Sequence, residues 1–232
     1  MLWYKGWLET RFRLLFILAV MGLTVFMQES SRRAHPVSAG KPAMTSFVTL
    51  MFIEVVLVGA IFGGAGIATQ PSFTAQRGVH GSTLFTLSLP VSRRRLLLVR
   101  AALGWLEAIA AMTLFCAAMW FALPWLRTAM TGFEMVEYLA ALLACGSVFY
   151  CVAVLLGSFL DDQWRVWGTM LVAGAFGFAS MRLHLPAFAD IFRGMSQLIT
   201  AHAMPWSVMA FSLGLAALLL AVTARIVQRR EY

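Results

Sequence analysis

Residues 135–160 read MVEYLAALLACGSVFYCVAVLLGSFL, a run of 26 with one formal charge, Glu137, near its start. At 1.5 Å per residue a helix over this run is about 39 Å long. That exceeds the roughly 30 Å of a bilayer's hydrocarbon core. Further apolar runs occupy 14–28, 43–69, 96–123, 166–181 and 205–226. Their charges are few: Glu54 in the second, Arg100 and Glu107 in the third, and Arg225 at the end of the last. A pattern repeated in this way cannot be folded into one soluble core, because too little polar surface remains to cover it.

The whole-chain composition agrees. Of 232 residues, 61% are hydrophobic and 12% charged, against about 45–50% and about 25% in soluble domains. Disorder, a collagen-like repeat and a small disulfide scaffold are excluded on the same grounds. The three cysteines, Cys116, Cys145 and Cys151, are odd in number and lie in apolar runs, so no structural disulfide and no zinc spacing is read. A net charge of +8 fits loop arginines and lysines that orient a membrane protein, and nucleic acid is not an expected partner.

The expected fold is an all-α polytopic membrane protein, a single transmembrane domain over 1–232. It has six transmembrane helices at the runs above and an amphipathic interfacial helix over 1–13 that turns into the first span. Trp3 and Trp7 share a face of that helix, and Lys5/Glu9 and Glu9/Arg13 form i,i+4 pairs. The basic start and first apolar run also suit a signal peptide, but Val37-Ser38-Ala39 lies too far beyond the run for cleavage. An uncleaved first helix is expected. With both termini cytoplasmic, twelve Lys and Arg fall inside and six outside (Arg32, Arg33, Lys41, Arg127, Arg182 and Arg193), the bias the positive-inside rule requires.

Most loops are short. The exception is the inner loop 70–95, which begins QPSFTAQRGVHG and ends STLFTLSLPVSRRR. Its first half is Gly-rich and polar, which marks irregular structure. The stretch 82–89 is apolar but too short to span, Pro90 breaks it, and three arginines mark the return to the membrane. A short helix ready to touch a partner fits this pattern, and so does a segment that only lies in the interface.

The opening WYKGWLETRFR and the stretch RGVHGSTLFTLSLPVSRRRLLLVRAALG resemble the type-2 ATP-binding-cassette (ABC) exporter permeases. The matching elements are the turn Gly81-Ser82-Thr83, the stretch Leu87-Ser88-Leu89-Pro90-Val91-Ser92-Arg93 and the basic Arg100 opening the third span. Members often carry an acidic residue before that turn, where this chain has Gln76 to His80. The resemblance implies the permease subunit of an exporter, in the cytoplasmic membrane of a bacterium. It implies a dimer with a second permease chain, the same or homologous, and two separate ABC ATPase subunits. This chain would bind no cofactor and be no enzyme by itself, with ATP and Mg held by the ATPase partners. Gly81, Leu84, Phe85, Leu87, Pro90 and Arg93 would couple it to the ATPase, with 81–89 as a short docking helix and 90–95 orienting that helix at the membrane surface.

The residues themselves agree that this chain does not hydrolyse ATP, since no G-x-x-x-x-G-K-[ST] phosphate loop occurs. Gly63-Gly64-Ala65-Gly66 has no lysine after it and suits close helix packing. Glu54 and Glu107 each lie 11 residues inside their runs, hence about 16 Å deep and near the midplane. A carboxylate there is costly unless protonated, paired or facing water. Both a polar lining for a translocation path and a hydrogen bond that fixes helix packing fit them. His35, His80, His184 and His202 fall in loops or at their edges, no H-E-x-x-H occurs, and Gly146-Ser147 has no intramembrane histidine beside it. Asp161-Asp162 reads as a solvated turn. An intramembrane enzyme is therefore the weaker class; it stands as the leading alternative, with a gradient-driven transporter next.

Overall fold

The computed structural model describes residues 2–34, 41–63, 93–183 and 186–229. Among these residues there are helices and turns and no strand. In chain order the helices are α1 (Leu2–Ala34), α2 (Lys41–Phe62), α3 (Arg93–Ala122), α4 (Pro124–Ala129), α5 (Gly132–Leu156), α6 (Asp162–Leu183), α7 (Ile191–Ala201) and α8 (Trp206–Arg229).

Four stretches are long and apolar enough to cross a membrane: Arg11–Ser30 of α1, Leu97–Ala122 of α3, Gly132–Leu156 of α5 and Trp206–Arg229 of α8. The apolar part of α2, Ser46–Phe62, is shorter. In α6 the polar first turn (Asp162, Gln163, Arg165) and Arg182 confine the apolar stretch to 166–181, about 24 Å of helix. The described residues thus form an all-helical bundle in which four helices have the length and apolarity to cross a membrane.

The separate helix expected over 1–13 is not an element of its own, because α1 is continuous from Leu2 to Ala34. The physical reason lies in the junction Arg11-Phe12-Arg13-Leu14-Leu15, which contains no proline or glycine to end a helix. Two short helices, α4 and α7, occupy stretches expected only as outer loops. Asp190 caps α7, its carboxylate accepting from Arg193 N at 3.0 Å. At the other end of α7, His202 takes a left-handed conformation (φ 51°) that stops the helix.

α5 is the centre of the bundle and packs against α2, α3, α6, α7 and α8. Its buried residues, including Tyr138, Ala141, Ala144, Ser147 and Tyr150, face every direction, as a helix surrounded by other helices requires. It starts at a capping box, where Glu134 N donates to Thr131 Oγ1 (3.3 Å) and Thr131 N donates to Glu134 Oε2 (2.6 Å). α2 crosses α5 closely enough that a Cβ on Gly63 would lie 2.7 Å from both Ala153 Cβ and Tyr150 O. Gly63 therefore serves the close packing expected of it, while residues 64–66 lie outside the described part.

Side-chain contacts order the helices end to end. At one end meet Arg13 of α1, Ile61 of α2, Ala101 of α3, Tyr150 of α5 and Arg165 of α6. At the other, Phe47 of α2 packs on Trp125 and Tyr138, Ser180 of α6 donates to Asp190 at 2.7 Å, and His202 meets Glu134 at 2.5 Å. The start of α8 packs there too, Val208 lying against Gly194 of α7. α1, α2, α3, α5, α6 and α8 thus alternate in direction along the chain.

Candidate functional site

Both intramembrane acids face the interior of the bundle. Glu54 is 4% exposed and Glu107 5%. Glu54 bonds to α1, its Oε1 lying 2.9 Å from Thr24 Oγ1. The same hydroxyl lies 3.1 Å from Val20 O one turn back. A threonine has one hydroxyl hydrogen, so the two acceptors share it or compete for it. Glu54 Oε2 is buried with no hydrogen-bond partner among the described residues. Glu107, on α3, lies within electrostatic reach of Tyr150, as does Arg165. Glu54 thus belongs to the α1–α2 contact, while Glu107 lies on α3 six residues past Ala101.

The end of the bundle where Ala101 lies is built around the last turn of α2. A helix leaves its final four carbonyls without intrahelical donors, and they form the negative pole of its dipole. Elsewhere water, capping motifs or side chains serve them. Here Phe62 is 1% exposed and Gly63 is buried, so the donors must come from protein. Arg13 Nη1 of α1 donates to Ile61 O at 3.4 Å, and Arg165 Nη2 of α6 donates to the same oxygen at 3.2 Å.

Arg165 is the more telling of the two. It is 1% exposed and sits in the first turn of α6, its amide donating to Asp161 O at 2.8 Å. A cation is disfavoured at the start of its own helix and favoured at the end of another. Its side chain makes that exchange by reaching across to α2. Burying a guanidinium costs several kcal/mol, offset in part by charge-assisted hydrogen bonds of about 1.5–3 kcal/mol each. Tyr150 of α5 completes the setting, its hydroxyl donating to Ala101 O of α3 at 2.6 Å. α3 approaches so closely that a Cβ on Gly104 would lie 2.7 Å from both Phe62 O and Tyr150 Oη.

Of the expected coupling residues, Gly81, Leu84, Phe85, Leu87 and Pro90 lie outside the described residues. Arg93 is the first residue of α3, so the Pro-Val-Ser-Arg element runs directly into a helix. Segment 64–92 leaves the described chain after Gly63 and rejoins it at Arg93, the end of the bundle where α2 is gripped.

The sequence reading missed Arg13, Arg165, Tyr150 and Thr24 as site residues. The available signal was a charge close to the edge of each of two apolar runs, Arg13 before 14–28 and Arg165 before 166–181. The three cysteines are free and buried. Among the described residues, no three His, Cys, Asp or Glu side chains gather as a metal site. No known protein family, no curated protein and no solved structure matches this chain.

Proposed function

We propose that the chain is the transmembrane permease subunit of an ABC exporter, forming the translocation path and powered by separate ATPase subunits. In this reading α1, α2, α3, α5, α6 and α8 are six spans with both termini cytoplasmic, in the inner membrane of a bacterium. Two permease chains and two ATPases, the latter holding ATP and Mg, make the working unit. Glu54 and Glu107 line or brace the path.

The observation that carries the reading is the Leu87-to-Arg93 stretch, which leads straight into α3 at Arg93. It joins α3 at the end of the bundle where α2 terminates, so both helices flanking the coupling loop end at one face. A loop held between two such helix ends is placed to pass ATP-driven closure of a partner to a membrane bundle.

The test is co-purification. The chain is expected to retain an ABC ATPase through purification in mild detergent. Leu84→Asp combined with Phe85→Asp is expected to abolish that association while membrane insertion persists. A wild-type chain that binds no ATPase and shows no nucleotide-dependent change when mixed with one refutes the proposal. Unchanged association in the double variant moves the contact elsewhere, first to the turn at Asp161.

A further inference from the structure

Ile61 O accepts from two guanidinium groups that belong to two different helices, neither of them its own. The two donors are 48 and 104 residues away from it along the chain. Around the same turn, Gly104 of α3 and Ala153 of α5 approach within van der Waals limits. The last turn of α2 is therefore in contact with four other helices, two residues before segment 64–92 begins. The packed neighbours fix its position by shape, and the arginines fix it by bonds that have direction.

We propose that Arg13 and Arg165 make the end of α2 a joint, tying α1 and α6 to the point where segment 64–92 departs. A displacement of that segment then moves α1, α2 and α6 together rather than α2 alone. The joint rests on the two bonds to Ile61 O and the packing around them; only the force that displaces the segment rests on the exporter reading. Arg13 and Arg165 are positioning residues in this scheme.

The purified chain in phosphatidylethanolamine/phosphatidylglycerol nanodiscs is the sample. Amide exchange is followed across α1, α2, α5 and α6 for the wild type, Arg165→Gln, Arg165→Lys and Arg13→Gln. With Arg165→Gln, the amides of 58–62 are expected to exchange at least about tenfold faster, with faster exchange in the first turn of α6. The central amides of α5 are expected to stay unchanged, and Arg165→Lys, which keeps a donor and the charge, is expected to restore most of the protection. Unchanged exchange at 58–62 overturns the joint. So does acceleration spread evenly over α5, which would mean a general loosening of the bundle. If Arg165→Gln does not fold, the half-buried Arg13→Gln gives the same comparison at one of the two bonds.

A second arm separates the joint from the exporter reading. Spin labels at Phe12→Cys and Trp164→Cys, both exposed positions, report the α1–α6 distance in a background with the native cysteines replaced by serine. With a co-purifying ATPase and ATP, the wild-type α1–α6 distance is expected to hold as a single population, because the two helices move together. In Arg165→Gln the distance is expected to change when ATP is added although the ATPase still binds, and an unchanged distance in the variant overturns the transmission. If the wild type binds no ATPase, the exporter reading fails and the exchange result alone decides the joint.

Discussion

Gly104→Ala adds a single methyl group where α3 lies against the end of α2 with no room for one. The new Cβ would lie 2.7 Å from Phe62 O and 2.7 Å from Tyr150 Oη, and 3.4 Å from Phe62 C. Two of those three atoms are backbone of α2's last turn, which four helices hold, so the methyl cannot be absorbed by turning a flexible side chain. Overpacking of this kind costs about 1–3 kcal/mol. Displacing the Tyr150 hydroxyl from Ala101 O, now 2.6 Å away, adds about 1 kcal/mol. The gain in helix propensity from Gly to Ala returns up to about 1 kcal/mol. The net is about 2 kcal/mol of destabilisation, or roughly 4–8 °C in Tm for a chain of this size. The control is Gly174→Ala in α6, where a Cβ would meet nothing within 4 Å and only the propensity gain remains. The buried free thiols Cys116, Cys145 and Cys151 supply the assay, because a fluorogenic maleimide reacts with them as the bundle opens on heating. A Gly104→Ala variant that melts within about 1 °C of the Gly174→Ala variant would refute the close approach of α3 to the end of α2.

Two further predictions concern the membrane and the acids. In a background without native cysteines, Thr131→Cys and Ser196→Cys are expected to react with an impermeant thiol reagent on intact cells, and Ser92→Cys only after permeabilisation; labelling of Ser92→Cys from outside inverts the topology. For the α1–α2 contact, Thr24→Val is expected to lower Tm by roughly 2–4 °C beside Glu54 and to have no such effect beside Glu54→Leu. A coupling energy near zero in that double-mutant cycle shows that the hydroxyl and the carboxyl do not depend on each other.

Helix existence was legible in this sequence because apolar run length is a local property. Each of the six runs has its own long helix, from α1 over 14–28 to α8 over 205–226. Helix ends were less legible, because neighbours and caps set them. α5 starts three residues before the apolar run at 135, since Thr131 and Glu134 close a capping box. That start was readable as the pattern Thr-x-x-Glu, which a search for apolar runs alone passes over. α7 was readable in the same manner: Asp190 heads it, and its buried residues Ile191, Met195 and Leu198 recur at helical spacing. The continuity of α1 was harder to read. Paired tryptophans and charges suggested an interfacial element, but nothing in the stretch breaks a helix, and backbone geometry decided the matter over side-chain preference.

The site divides along the same line. Glu54 and Glu107 announced themselves because a carboxylate in an apolar run is anomalous wherever its helix packs. Arg165 did not, because an arginine at the edge of an apolar run has two good solutions: reaching back to the headgroups, or reaching inward to a buried acceptor. The choice depends on an oxygen 104 residues away. A question about α2 would have come nearer than one about α6. α2 ends beneath α1, α3, α5 and α6 rather than in water, with Phe62 and Gly63 buried, and its last carbonyls still need donors. Tyr150's hydroxyl is committed to Ala101 O. Guanidinium groups meet that need well, since each brings several N–H donors and a charge of the sign that a helix C-terminus attracts. The buried arginine of α6 is in this sense required by where α2 stops.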